Sequence, residues 1–497
     1  MVLITPENRD ETVELLTRLV GIGADFKLGD GVAQRRLNPH QVRDLLVTEL
    51  PKEGREVDSV VRDLVRHILP LCNNEASPRF LGFGHTGADV AALAGGLLAL
   101  FAQQNLINQS FAAPSATFTE IAVLRWLRDL LGYPNPLVGD VASVWDVGGV
   151  TTYGGTGSNA VAMLLARENA APGTLHDGVR EPERMHIVVP AGIGHYSVKS
   201  ALEWIGVGGR IIEVPTRGYR YDLAALERIL AENKGRIMSV VAYTGDSRTH
   251  TVENLRAVHD LTRAADPRIW LHSDACWGLM CAFTDELADK LDGIADFDSI
   301  TVDPHKVMDI PYAMSALLVR EPAALRMVSS YSDLIMQEDY AFGQVTPFIG
   351  TKEWSSLKLW AMMLAHGRDG LAEMMRKRLI TTRTFAGLVD ASPRLLRLND
   401  PDMTAVVFLY LPEGADRARP DVERINAINK GIHQRILDEG RWHFHQFSLP
   451  DDTGRLAQDA VLHPLRFMGN NQRITEAHMR DALDYINGIG RQLETTQ

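Results

Sequence analysis

Two short runs hold the residues best suited to covalent chemistry, His272-Ser273-Asp274-Ala275 and Asp303-Pro304-His305-Lys306. Each follows an apolar segment that reads as a strand, Ile269 to His272 for the first and Ser299 to Val302 for the second. Desolvation at a buried strand tip lowers the pKa of an amine such as Lys306 and frees its lone pair to form an imine with an aldehyde. A carboxylate such as Asp274 must find a donor or a cation there, because leaving it unpaired costs several kcal/mol. A protonated ring nitrogen would be such a partner, in a charge-assisted bond of roughly 1.5–3 kcal/mol. Alone, Lys306 could be a solvated surface charge and Asp274 an N-cap. Together they suit an aldehyde cofactor with a protonatable ring.

Two further turns add to the pair. The run Gly148-Gly149-Val150-Thr151-Thr152-Tyr153-Gly154-Gly155-Thr156-Gly157-Ser158-Asn159 precedes the helical AVAMLLAR. Small residues let backbone N–H groups approach an anion, and a helix aims its positive end there. The run is neither a Walker loop nor a dinucleotide fingerprint, and it reads either as a phosphate cup or as a glycine-rich helix entry capped by Ser158. His195, in Gly192-Ile193-Gly194-His195-Tyr196-Ser197, could stack on a flat cofactor, move a proton or serve only the turn.

These residues need elements to hold them. From about residue 140, strand-like runs alternate with helical ones: Met185 to Pro190, Arg210 to Val214, Ile237 to Tyr243, Phe297 to Val302 and Ser315 to Val319 against Gly192 to Ile205, Leu223 to Asn233 and Val252 to Ala264. Alternation of this kind implies an α/β fold with a mostly parallel sheet and helices on both faces. Ligands bind beyond the carboxyl ends of such strands, where Asp274 and Lys306 fall. Helical segments over Glu11 to Val20, Pro39 to Leu50 and Val57 to Leu71 make residues 1–75 an N-terminal arm. A large domain over 76–380 follows, ending in a long helix from Trp354 to Leu379. A smaller α+β unit over 381–497 holds the strands Ala405 to Leu411 and Trp442 to Leu449 and the helices Asp421 to Gly440 and Thr475 to Leu493.

A chain of 497 residues with 45% hydrophobic and 23% charged content suits a soluble enzyme of several packed units. The net charge of -12, with basic residues scattered, argues against nucleic acid. The longest apolar run, Val90 to Phe101, is interrupted by Gly95 and Gly96 and is too short to span a bilayer. The N-terminus lacks a basic leader with an apolar core, so no signal peptide is expected. Three cysteines, Cys72, Cys276 and Cys281, fit a reducing, cytoplasmic setting and no zinc pattern, so no metal is expected.

In this order and spacing, the four features resemble the group II pyridoxal-phosphate-dependent amino acid decarboxylases, which include the glutamate, aromatic-L-amino-acid and histidine enzymes. The stretches HSDACWG and DSITVDPHK carry the resemblance most specifically. Ser77-Pro78-Arg79-Phe80-Leu81 and Ser356-Leu357-Lys358-Leu359-Trp360 resemble two further family segments. The resemblance implies an aspartate-aminotransferase-like fold (fold type I) and pyridoxal 5'-phosphate as cofactor. It implies that Lys306 links to the cofactor aldehyde, Asp274 pairs with its ring nitrogen and His195 stacks on one ring face, with Ala275 against the other. Gly157 and Ser158, helped by Thr156 and His305, would hold the phosphate. A loop tyrosine would return a proton to the substrate α-carbon; Tyr331 fits the spacing and Tyr340 is the alternative. The family's usual Gly-Thr-Thr run is replaced here by Thr244-Gly245-Asp246-Ser247-Arg248-Thr249-His250, so Asp246 is expected to alter the charge beside the cofactor.

The resemblance further implies a homodimer with its active site at the subunit interface, wrapped by the N-terminal arm. Phe80, Phe83, His85, Phe111 and Arg79 are expected near the substrate. The three phenylalanines favour an apolar or aromatic side chain and Arg79 and His85 an acidic one, with the balance to the apolar. The implied reaction is α-decarboxylation of an L-amino acid to an amine and carbon dioxide. The alternatives are oxidative deamination to an aldehyde, another carbon–carbon lyase with the same cofactor, or a non-catalytic protein that keeps the fold.

Overall fold

The computed structural model describes residues 3–31, 33, 36–334 and 339–495. Its first helices are α1 (Arg9–Leu28), α2 (Pro39–Leu46) and α3 (Val57–Asp63), followed by α4 (Val90–Ala102) and α5 (Ala116–Leu130). The central sheet has seven strands: β1 (Gly149–Thr152), β2 (His186–Pro190), β3 (Ile211–Val214), β4 (Ile237–Tyr243), β5 (Trp270–Asp274), β6 (Ser299–Val302) and β7 (Ser315–Val319). Their order across the sheet is β1-β7-β6-β5-β4-β2-β3. All pairings are parallel except the two made by β7, which runs antiparallel to both β1 and β6. Helices α6 (Gly155–Ala170), α7 (Tyr196–Trp204), α8 (Leu223–Glu232) and α9 (Leu255–Ala265) fill the crossovers.

The apolar runs become strands because both sheet faces are covered. Every residue of β4, β5 and β6 is buried, the pattern of a sheet packed between two helical layers. Burying each Val, Leu or Ile of that layer contributes about 1.5–3 kcal/mol. Since β7 is antiparallel to both β1 and β6, the strands β1, β2, β4, β5 and β6 all point the same way. The segments that follow them, 153–159, 191–195, 244–250, 275–276 and 303–306, therefore meet at one edge of the sheet.

Helix α10 (Ser356–Asp390) passes from the large sheet to the smaller unit, so the boundary expected at 380 lies within a helix. The helix is interrupted at Gly367, whose φ of 59° departs from helical geometry. The smaller unit has four strands, β8 (Leu395–Arg397), β9 (Ala405–Tyr410), β10 (His445–Gln446) and β11 (Leu465–Met468), in the order β8-β9-β11-β10. Helices α11 (Val422–Glu439) and α12 (Glu476–Glu494) cover it, over a core in which Phe385 stacks on Phe467 at 3.8 Å. The sequence periodicity locates α11 well, between the N-cap Asp421 and the left-handed Gly440. It overestimates the strand from Trp442 to Leu449, of which only short pieces pair.

Candidate active site

The glycine-rich run is the turn between β1 and α6. Gly154 adopts a φ of +95°, a region open to glycine. A Cβ on Gly155 would come within 2.5 Å of Cys276 Sγ and 2.8 Å of Asp303 Oδ2, so the helix start is pressed against the strand tips. The first turn of α6 thus faces the same edge as Lys306, with Thr156 and Gly157 on it. The Ser158 hydroxyl is fully buried, 2.6 Å from Thr152 Oγ1.

Asp274, at the end of β5, is 5% exposed and has only neutral partners. Its Oδ2 accepts from Asn159 Nδ2 at 2.9 Å and its Oδ1 from the Cys276 backbone N–H at 3.2 Å. Asn159 is the centre of a network absent from the sequence reading. Its amide also donates to Ser197 Oγ at 2.8 Å, and its oxygen lies 3.0 Å from His272 Nε2. With Asn159 donating to Asp274, its oxygen must accept, so His272 carries its proton on Nε2 and accepts from Ser299 Oγ at 2.8 Å through Nδ1. Burial pushes the pKa of His272 down to about 4, which keeps it neutral. Ser197 Oγ, already an acceptor, donates to His195 Nδ1 at 2.6 Å. His195 therefore presents Nε2–H.

His195 itself is the N-cap of α7, its Nδ1 facing the Ser197 backbone N–H, so the helix begins later than the expected Gly192. Its backbone N–H donates to the Tyr243 hydroxyl at 2.8 Å. Burial lowers its pKa; Asp274 opposes that and Lys306 reinforces it. Ala275 is fully buried after β5.

Lys306 lies in the short turn after β6, with Nζ 2.7 Å from Asp303 Oδ2. Here the structure corrects the sequence reading. Burial does push the lysine pKa down, but the carboxylates of Asp303 and Asp274 push it further up, and the amine ends above its ordinary value. His305 donates from Nδ1 to the Met314 carbonyl at 2.8 Å, which leaves Nε2 as its second polar atom, 4.0 Å from Asp303 Oδ2. Lys306 Nζ also stands over the Trp277 ring, 5.7 Å from its centroid.

Asp246 is tied to its own loop. Its carboxylate accepts from the backbone N–H groups of Arg248, Thr249 and Thr251 at 2.7, 2.8 and 2.9 Å, so it staples its own loop. Among the expected substrate residues, Phe83 and His85 stack at 5.6 Å, and His85 faces Trp277 at 6.0 Å. Phe80 instead packs on His443 at 4.2 Å and is buried. Arg79 lies over Trp442 at 4.8 Å and donates to the Asp30 carbonyl, apart from the rings around Lys306. Phe111 is 68% exposed between α4 and α5. Tyr331 is 74% exposed, whereas Tyr340 donates to the Val141 carbonyl at 2.7 Å and packs on Phe118.

Arg466, on β11, has no sequence signal yet reaches the site. Its guanidinium donates to the Ser247 and Gly82 carbonyls, lies 5.2 Å from the Phe83 ring centre, and leaves Nε without a partner. Burial lowers its pKa to about 10, opposed by Asp246.

A buried carboxylate paired only with neutral donors, an amine at the next strand tip, small residues at a helix start and a neutral histidine all fit pyridoxal phosphate. Among the described residues no cluster suits a metal ion and no helix is long and apolar enough to cross a membrane. The fold and site define a fold-type-I pyridoxal-phosphate enzyme.

Residues 39–411 match the pyridoxal-dependent decarboxylase conserved domain, and the chain belongs to that family. It is 25% identical to an L-2,4-diaminobutyrate decarboxylase of Acinetobacter baumannii, over 80% of this chain and 79% of the relative. It is 27% identical to a cysteine sulfinic acid decarboxylase of Mus musculus, over 81% of each. The crystal structure of Oryza sativa TDC with PLP and tryptamine superposes with a TM-score of 0.86 at 22% identity, covering 99% of this chain and 100% of that one. The chain is a pyridoxal-phosphate-dependent amino acid decarboxylase, a carboxy-lyase.

Proposed function

We propose that this enzyme removes the α-carboxylate of an L-amino acid with an apolar or aromatic side chain, releasing carbon dioxide and the amine. The observation that carries this reading is the aromatic wall of Phe83, His85 and Trp277 beside Lys306. Bound pyridoxal phosphate supplies an aldehyde for the substrate amine and an electron sink for the bond to the carboxylate.

The chain's residues do the rest. Lys306 Nζ would hold the cofactor, with Asp303 Oδ2 at 2.7 Å placed to take up its proton. Asp274 keeps the ring nitrogen protonated, and Asn159 keeps Asp274 aimed. Thr156, Gly157 and Ser158 at the start of α6, with His305, hold the phosphate. His195, a neutral imidazole, would cover one face of the bound ring, and the small Ala275 would leave room on the other. Arg466, a buried cation with an unpartnered Nε, holds the substrate carboxylate. Tyr331, free of the contacts that bind Tyr340, returns the proton to the α-carbon.

The protein acts as a homodimer in the cytoplasm on this reading. Leu98, Leu100 and Phe101 of α4 are exposed together, as is Phe111 in the loop that follows, an apolar surface suited to a second copy. All three cysteines are unpaired, as a reducing compartment requires.

The test is the absorbance spectrum of purified protein with pyridoxal phosphate, then carbon dioxide release from a panel of L-amino acids. We expect a visible band that Lys306→Ala abolishes, and carbon dioxide from an aromatic member. A band without carbon dioxide refutes the reading, and release of peroxide and ammonia moves it to oxidative deamination.

A further inference from the structure

At the end of the aromatic wall, His85 meets two polar side chains that the reaction above does not use, Glu75 and Tyr312. The Tyr312 hydroxyl lies 2.6 Å from His85 Nδ1 and 3.3 Å from Glu75 Oε2. The same Glu75 oxygen is 3.3 Å from His85 Nδ1. Residues 75 and 85 flank the segment that carries Phe83, whereas Tyr312 comes from the turn beyond Lys306, so two remote pieces of chain close on one another. Both sides of the contact reach the site. His85 lies over Trp277 with its ring inclined by 22°, and the Tyr312 ring meets His305, the neighbour of Lys306, edge-on at 5.2 Å.

The triad has a chemical sense. Glu75 Oε1 has no partner among the described residues, so an acceptor with negative charge is left over. Tyr312 supplies a rotatable O–H, kept protonated because burial and Glu75 raise its pKa. An acceptor beside a donor complements a hydroxyl, which both donates and accepts. The Glu75 carboxylate repels an acidic side chain, and an unsubstituted ring would offer its Oε1 no donor.

We propose that Glu75, His85 and Tyr312 read a hydroxyl on the ring of an aromatic L-amino acid, so that the enzyme prefers a phenolic substrate to an unsubstituted or an acidic one. The proposal rests on the decarboxylase reading above and names its substrate class. The three residues act on specificity and take no part in breaking the bond.

The holoenzyme is assayed for carbon dioxide release from L-tyrosine, L-phenylalanine and L-glutamate, and kcat/KM is compared. A site built to bond a hydroxyl rejects the analogue without it strongly, so L-tyrosine is expected to exceed L-phenylalanine by at least about 30-fold. Tyr312→Phe and, independently, Glu75→Gln should each cut that ratio at least about tenfold, mostly through KM for L-tyrosine, with the cofactor absorbance band retained. Equal use of L-tyrosine and L-phenylalanine overturns the proposal, as do variants that keep the parental ratio. A preference for L-glutamate overturns it too. Absence of carbon dioxide from every amino acid tested sinks the decarboxylase reading itself, an outcome distinct from loss of discrimination.

Discussion

Replacing Asn159 by leucine keeps the side-chain volume and removes every polar contact it makes. Three partners lose a bond: Asp274 Oδ2 at 2.9 Å, Ser197 Oγ at 2.8 Å and His272 Nε2 at 3.0 Å. Ser197 and His272 are fully buried and Asp274 nearly so, so no water replaces the amide. Each orphaned buried group costs about 1–3 kcal/mol, and the three together about 3–9 kcal/mol of stability. The bond to the carboxylate is the charged one, and about 1.5–3 kcal/mol of it bears on how firmly Asp274 holds a ring nitrogen. That share predicts a cofactor Kd weakened roughly 10- to 150-fold. Titrating apoprotein with pyridoxal phosphate and following absorbance measures it, and a thermal melt of the same sample reads the stability loss. Ser197→Ala cuts only the branch to His195, so it should lower kcat more than it weakens cofactor binding. A leucine variant with Kd within about threefold of the parent refutes the network.

Two further outcomes follow from the charges. Asp303→Asn removes the largest of the charges that raise the Lys306 pKa, so that burial is opposed mainly by Asp274 and the pKa falls. More of the amine is then neutral near pH 7, and covalent capture of pyridoxal phosphate should accelerate at least about tenfold for each unit by which the pKa falls. Superimposable pH–rate profiles for parent and variant would contradict this. The buried histidines set acid sensitivity. Burial lowers His272 from 6.5 to about 4 and His443 from 6.5 to about 3, so below 6.5 the unfolded chain binds protons that the folded chain refuses. Stability is therefore present above pH 6.5 and is lost as pH falls toward 4, by about 1.4 kcal/mol per unit for each histidine. Glu253, raised by burial from 4.5 to about 6, offsets about one histidine between those values. Urea midpoints at pH 7.5, 6.0 and 5.0 should fall in that order, and midpoints independent of pH would show that the histidines titrate normally.

The sheet was legible because period and composition agree. Runs such as Ile237 to Tyr243 are too short and too apolar for anything but strands buried on both faces, and the turns after them collect Lys306, Asp274 and His195 at one edge. The residues that aim those groups were much less legible. Asn159 follows Ser158 directly and is the last polar side chain before the apolar run Ala160 to Ala166, a local signal that was present. Asp303 stands in the run that holds Lys306, yet its effect on the amine depends on a distance of 2.7 Å that spacing does not give. That Asp246 also staples its own loop was not legible, because a carboxylate near a cofactor and one bound to its own loop look identical in sequence. Arg466 and Tyr312 come from segments remote from their partners, and only the closed fold brings them to Phe83 and His85.

The charge balance at the strand tips accounts for the division of labour among these groups. Two buried carboxylates, Asp274 and Asp303, face one lysine. Asp303 engages it at 2.7 Å, so Asp274 is left with neutral donors, and the strand tips carry one negative charge without a cation. The same two carboxylates, after burial, push the Cys276 thiol well above its ordinary pKa. That thiol therefore stays protonated and does not compete with Lys306 for an aldehyde, because the thiolate is the nucleophile. A protonated ring nitrogen at Asp274 removes the deficit, and any ligand that binds the folded state alone stabilises it in proportion to the logarithm of its concentration over Kd. Cofactor affinity and fold stability thus draw on one carboxylate, and the amide of Asn159 ties them together.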